Sequence, residues 1–245
     1  MNDQINIVIY IEEGGLQEEA FALSQKTGIP ISDTPGEALT LLFDASGFSL
    51  VGYGMRYQGD FEQMLYRVSS GRLHHEMLVK AAKTKSEHPV AFDATAGMGE
   101  DAFLLAAMGY EVVLFEQNPI VAALLQDAMS RARRHPDLRV VINRMKLIHG
   151  DSIALMPTLE VQPELVYLDP MFPARRKSGL IGKKLQLIQK LEQPCASQEE
   201  LLAAALSLHP KKIVIKRPLN GAFLAEQKPS YTLKGRAIRY DVIVP

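Results

Sequence analysis

A single cysteine, Cys195, stands among the 245 residues. One thiol cannot close a disulfide within the chain and cannot build a cysteine metal cluster, which points to a reducing compartment. Long apolar runs are lacking too: none approaches the roughly 20 residues of a membrane-spanning helix, so no membrane partner is expected. Met1-Asn2-Asp3-Gln4 carries no basic residue ahead of an apolar stretch, so no secretory signal is read there and a cytoplasmic protein is expected. No internal repeat or low-complexity segment interrupts the chain. His74 and His75 have no further His or Cys at ligand spacing, so they are read as packing or surface residues and no metal site is expected.

What is present is the composition of an ordinary soluble domain, 47% apolar and 22% charged. The length suits one large α/β domain, or one domain with a small appendage. The net charge of −1 hides an asymmetry. Residues 1–50 hold eight acids against the single base Lys26, so the rest of the chain is basic, as a chain with an anionic partner would be.

Ile5 to Ile11 reads as a strand ending at Glu12-Glu13-Gly14-Gly15, Gln17 to Gln25 as a short helix, and Leu39 to Asp44 with Phe48 to Tyr53 as two further strands. Together they predict a small N-terminal α+β unit, residues 1–70. Leu73 to Lys85 is predicted to be a helix. From Pro89 the pattern turns regular. Strands at Val90 to Ala94, Glu111 to Phe115, Met145 to His149, Leu165 to Leu168 and Lys212 to Lys216 alternate with helices at Asp101 to Met108, Pro119 to Arg134 and Gln198 to Leu208. Such alternation predicts an α/β domain over residues 71–245, a mostly parallel sheet with helices on both faces. Tyr231 to Lys234 and Ile238 to Val244, parted by Gly235-Arg236, predict an antiparallel edge hairpin.

Chemistry gathers where strands end. Asp93-Ala94-Thr95-Ala96-Gly97-Met98-Gly99-Glu100-Asp101 passes from strand to helix, and Gly97 and Gly99 let backbone approach a ligand. Two glycines alone serve equally for a bare turn, and Ala102 would satisfy the looser dinucleotide fingerprint. Asp93 argues against a pyrophosphate: a carboxylate repels it but suits the ammonium of a methionine moiety. Glu116, closing the second strand before Gln117-Asn118-Pro119, can accept hydrogen bonds from both ribose hydroxyls of an adenosine. It would also complement the dipole of the following helix. Asp151 and Ser152, after the third strand, can meet an adenine amine or simply form a turn. In register, the three loops read as an adenosine site.

Asp169-Pro170-Met171-Phe172-Pro173 follows the fourth strand. Its prolines fix φ and hold Asp169 and Phe172 in place. An exocyclic amine on a base is a poor nucleophile, its lone pair drawn into the ring. Asp169 and the Pro170 carbonyl can accept its N–H bonds and aim the lone pair, while Phe172 stacks on the splayed-out base. Arg175, Arg176 and Lys177 abut this loop, and Lys216-Arg217 ends the fifth strand; all five are expected to meet phosphates. The group of Arg131, Arg133, Arg134, Arg139, Arg144 and Lys146 is read instead as a solvated face.

Asp93-Ala94-Thr95-Ala96-Gly97-Met98-Gly99, Asp101-Ala102-Phe103, Glu116-Gln117-Asn118-Pro119, Asp169-Pro170-Met171-Phe172-Pro173 and Lys216-Arg217-Pro218 together resemble the bacterial small-subunit (16S) ribosomal RNA guanine-N2 methyltransferase family. The likeness runs well from Arg72 to Pro218 and only loosely before it. It implies a class I (Rossmann-like) methyltransferase fold of seven strands, S-adenosylmethionine as methyl donor, N2-methylguanine as product, and ribosomal RNA or the small ribosomal subunit as partner. Cofactor contacts would fall on Glu100-Asp101, Glu116-Gln117, Asp151-Ser152 and Asp169. Glu100 and Gln117 stand where the family pattern has arginine. Other readings are an amino methyltransferase for DNA or RNA adenine or a protein glutamine, a non-catalytic RNA-binding assembly factor, and a nicotinamide oxidoreductase, which leaves Asp169-Pro170-Met171-Phe172-Pro173 unexplained.

Overall fold

The N-terminal sheet comes from β1 (Ile7–Ile11), β2 (Ile31–Ser32), β3 (Leu39–Asp44), β4 (Gly47–Gly52) and β5 (Met55–Tyr57), in spatial order β2-β1-β3-β4-β5, with helix α1 (Gln17–Thr27) between its first two strands. The computed structural model describes residues 7–170, 191 and 197–245. Two of these strands go beyond the sequence reading. β5 exists because Tyr53 (φ 52°) and Gly54 (φ 70°) both take left-handed backbone, the geometry of a tight two-residue hairpin. A tyrosine at the first of those positions conceals the turn. The sheet's core, Ile9, Leu41, Phe43 and Phe48, is completed by Ile120 and Leu124 from a helix of the second unit.

The connection carries α2 (Leu65–Val68) and α3 (Met77–Ala81). The single helix expected from Leu73 to Lys85 is not formed. Leu73–His75 is a 3-10 turn, Glu76 is extended (φ −61°, ψ 131°), and only Met77–Ala81 is α-helical. The Glu76 carboxylate takes a two-pronged bond from Arg67 (Nε to Oε1 2.8 Å, Nη2 to Oε2 2.9 Å), a local alternative to continuous helix.

The second sheet is built from β6 (Val90–Asp93), α4 (Glu100–Ala107), β7 (Glu111–Glu116), α5 (Pro119–Ala132), α6 (Arg139–Ile142), β8 (Met145–His149), α7 (Ser152–Leu155), β9 (Leu165–Leu168), α8 (Gln198–Ser207), β10 (Lys212–Pro218), β11 (Tyr231–Lys234) and β12 (Ile238–Ile243). The strand order is β11-β12-β10-β9-β6-β7-β8. β10, β9, β6, β7 and β8 run parallel; β12 and β11 are antiparallel at the edge. Local chemistry sets the helix starts. Asn118 caps α5, accepting from Ile120 N and Val121 N with Pro119 in the first turn, and Ser197 caps α8 through Glu200 N. Period-two alternation splits the strands between two cores. Tyr167 and Val214 face one side with Phe103 and Leu105; Val166, Leu168 and Ile213 face the other with Leu201 and Leu202. From β6 the chain builds outward to β7 and β8 on one side, whereas β9 and β10 lie on the other. The crevice of this switch point opens at the carboxyl ends of β6 and β9, the usual ligand position in an open α/β sheet.

Candidate active site

The loop after β6 is tied to both neighbouring strands. Ala94 N donates to Tyr167 O (3.0 Å) and Ala96 N to Phe115 O (3.0 Å). The Glu116 carboxylate, at the end of β7, accepts from Gly97 N (2.9 Å) and Asn118 N (2.8 Å). The carboxylate's four lone pairs leave acceptor capacity for a ribose hydroxyl. Burial pushes the Glu116 carboxyl up, while the backbone N–H groups of Asn118 and Gly97 pull it back toward the charged form.

Gly97 and Gly99 both have positive φ, 51° and 76°, for different reasons. A Cβ on Gly99 would lie 2.8 Å from Leu125 Cδ1 and 3.3 Å from Phe61 Cζ, whereas one on Gly97 would meet nothing within 4 Å. Gly99 is therefore a packing glycine and Gly97 borders open space. We expect Gly99→Ala to lose about 2 kcal/mol or more of stability through strain and overpacking. Gly97→Ala should lose less stability but more cofactor affinity. Urea unfolding and cofactor titration of both variants check this contrast, and equal behaviour of the two would contradict it.

Beside the loop lies a network of charge. The Lys216 ammonium bridges Asp101 Oδ2 (2.7 Å) and Asp169 Oδ2 (2.8 Å). Tyr167 OH donates to the same Asp101 oxygen (2.6 Å). Asp169 N donates to Thr95 Oγ1 (2.7 Å), so the Asp169 backbone is fixed independently of its carboxylate. Burial would lower the Lys216 pKa, but Asp101 and Asp169 outweigh it and hold the ammonium above its ordinary value. Burial pushes the Asp169 carboxyl up and Lys216 opposes the rise.

Four expectations are corrected. Asp93 is only 1% exposed and accepts from Thr95 N (3.1 Å) beneath the loop. Burial drives its pKa well above the ordinary range. It holds the loop rather than presenting a free carboxylate to an ammonium. Lys216 faces inward to two carboxylates rather than outward to phosphate. Arg217 is 4% exposed, and its Nε donates to Ala222 O (2.8 Å), which places it inside the fold. Arg131, read as part of a solvated face, instead bonds Asp127 Oδ2 (2.9 Å) and the Gly59 carbonyl, joining the two sheets' territories.

Asp151 caps α7 by accepting from Ile153 N (2.9 Å), and Ser152 beside it is buried. Glu100 and Gln117 are exposed; Glu100 Oε2 lies 3.9 Å from Arg67 Nη1. Pro170 is buried directly after Asp169. Phe172, Arg175, Arg176 and Lys177 lie outside the described residues. Thr95, Tyr167 and the Lys216–Asp101 pair escaped the sequence reading. One signal was present: Lys216 ends the fifth strand, which conventional strand order sets beside the Asp169 loop, and the parallel pairing of Ile215 with Leu168 brings the two level.

Comparison with known proteins agrees with this geometry. Residues 45–245 match the family described as "Putative SAM-dependent methyltransferase". A protein from Thioalkalivibrio sulfidiphilus named ribosomal RNA small subunit methyltransferase J is 36% identical, over 100% of this chain and 99% of its own length. One of the same name from Neisseria meningitidis is 34% identical, over 93% and 90%. The crystal structure of a SAM-dependent methyltransferase from Neisseria gonorrhoeae superposes with a TM-score of 0.77 at 31% identity, covering 97% of this chain and 95% of that one. With carboxylates closing adjacent parallel strands, a glycine loop open beside them and relatives that match it end to end, this chain belongs to the S-adenosylmethionine-dependent methyltransferase family.

Proposed function

We propose that the protein transfers a methyl group from S-adenosylmethionine to the exocyclic N2 of a guanine in small-subunit ribosomal RNA. The observation that carries this reading is Asp169: a carboxylate at the end of β9, fixed by Thr95 through its backbone and by Lys216 through its side chain, beside the strand-end row that suits the cofactor. The relatives' name supplies the nucleic acid, and the motif Asp169-Pro170-Met171-Phe172-Pro173 supports an amine as acceptor.

The donor set fits the cofactor. Glu116 has acceptor capacity for ribose hydroxyls, Asp151 and Ser152 would meet the adenine amine, and Gly97 adds no side chain that would crowd the loop. Gln117, Glu100 and Asp101 would complete the contacts to the cofactor. When bound, S-adenosylmethionine supplies an activated methyl group on a sulfonium. The protein's own task is alignment. Asp169 and the Pro170 carbonyl accept the amine's N–H bonds and direct its lone pair, Phe172 stacks on the base, and Arg175, Arg176 and Lys177 meet the RNA backbone. Asp169 can also take the proton that the methylated nitrogen sheds. The cytoplasm is the compartment this reading requires.

The test is transfer of a radiolabelled methyl group to small ribosomal subunits and to naked ribosomal RNA, followed by nucleoside analysis. Labelled N2-methylguanosine is expected; label on another base, or none despite cofactor binding, overturns the assignment.

Lys216 gives a pH prediction. Asp169 works as the ionised carboxylate, burial raises its pKa, and Lys216 lowers it. Lys216→Met removes the lowering influence, so the pKa of Asp169 rises further. Activity then falls at neutral pH and returns as pH increases. The acid limb of the rate profile should move up by about 1–3 pH units. An acid limb in the same place would show that Lys216 does not govern Asp169.

A further inference from the structure

The connection between the two sheets contains an exposed aromatic that packing does not explain. Phe61 and Met64 anchor its start in the core, at 3% and 1% exposure. The Arg67–Glu76 clamp closes its end. Tyr66, between these anchors, is 66% exposed, and its hydroxyl bonds to no described residue. The Arg72 guanidinium lies over its ring, 3.8 Å from carbon to centroid, brought back by the turn at Gly71 (φ 81°). A tyrosine serving as a core plug would be buried. Here one ring face is covered by a cation and the rest of the ring is given to solvent.

Its position is as informative as its exposure. The next residue, Arg67, reaches Glu100, the first residue of α4 and the end of the glycine loop. The Arg67 guanidinium feels the Asp101 carboxylate and in turn acts on the Tyr240 hydroxyl, so the segment borders the Lys216 network. At the segment's far end, Met77 Cε lies 2.5 Å from where a Cβ on Gly235 would stand, which sets this end against the β11–β12 turn. The segment that carries Tyr66 and Arg72 therefore borders the site on the side of Glu100.

We propose that Tyr66 and Arg72 form a stacking platform for an unpaired base of the substrate RNA next to the guanine that is methylated. The proposal rests on the RNA reading above and adds a subsite to it. Any base offers a π face to a tyrosine, and a guanidinium adds cation–π attraction, so the platform grips without reading sequence. A base held there would fix the strand on one side of the target and leave the target itself free to turn into the Asp169 loop.

The test separates the platform from the RNA reading. Steady-state kinetics on small ribosomal subunits, with Tyr66→Ala, Tyr66→Phe and Arg72→Gln, should give a KM for RNA raised about tenfold or more in Tyr66→Ala. Arg72→Gln should show a smaller rise, Tyr66→Phe should stay near wild type, and kcat and cofactor Kd should not move. A second measurement uses a ribosomal RNA fragment with 2-aminopurine beside the target guanine: its fluorescence should be quenched by wild type and Tyr66→Phe, and not by Tyr66→Ala. Wild-type KM and quenching in Tyr66→Ala would overturn the platform and leave the RNA reading standing. Absence of RNA binding by the wild-type protein would overturn both.

Discussion

Asp169→Ala is expected to lower kcat for methyl transfer by about a thousandfold or more, while the protein stays folded and binds cofactor within a few-fold of wild type. The size follows from what is lost: the acceptor that orients the amine and takes up its proton, and each of those effects is commonly worth two or more powers of ten. Survival of the fold follows from the network. Asp169 reaches Thr95 through its backbone N–H, which alanine keeps. Lys216 still has Asp101 at 2.7 Å, so its ammonium is not orphaned. Asp169→Asn keeps an acceptor oxygen but no charge, and should fall between the two. Circular dichroism, cofactor titration and single-turnover transfer on one set of samples decide the matter. A variant that still transfers at a tenth of the wild-type rate would move the catalytic role away from this side chain.

Arg239→Ala should cost about 3–5 kcal/mol of stability. Arg239 and Asp241 are buried, with side-chain exposures of 6% and 3%. Arg239 Nε meets both Asp241 oxygens (3.0 and 3.1 Å), and its Nη1 donates to the carbonyls of Pro218 (2.9 Å), Leu219 (2.8 Å) and Gly221 (2.9 Å). Removing it takes the guanidinium from a buried carboxylate, which keeps the Thr232 hydroxyl (2.8 Å), and leaves three carbonyls without their shared donor. A lysine cannot span the same fork. Urea unfolding should show the loss. Replacing both partners, as Arg239→Met with Asp241→Leu, should cost less than Arg239→Ala alone, because no buried charge is then unpaired. A single-variant loss under about 1 kcal/mol would mean that water reaches this pair.

The parallel half of the fold was legible because its punctuation is local. Met145 to His149 and Leu165 to Leu168 match the observed strands residue for residue, and Asn118-Pro119 states where α5 begins. The mostly parallel sheet follows from that alternation, its edge hairpin from the two runs parted by Gly235-Arg236, and its seven strands are what the family resemblance implied. What failed depended on distant partners. The expected helix over residues 73–85 breaks where Glu76 is claimed by Arg67. Lys216 looked like a phosphate ligand because Asp101 is far away in sequence. Arg217 ends a strand in sequence, yet the chain folds back and covers it. Charge type is written locally, but whether a cation faces water or a carboxylate is decided by the fold.

The shared core of the N-terminal sheet constrains how the protein is made. Phe48 and its neighbours pack on Ile120 and Leu124, which follow about 70 residues later. At a synthesis speed of about 5–20 residues per second, the first sheet leaves the ribosome some 4–15 s before its covering helix. During that interval its apolar face and open strand edges are exposed, the state in which a nascent chain is most prone to pair with others. Slowing elongation before codon 120 should therefore lower the soluble yield, whereas slowing it after codon 132 should matter far less.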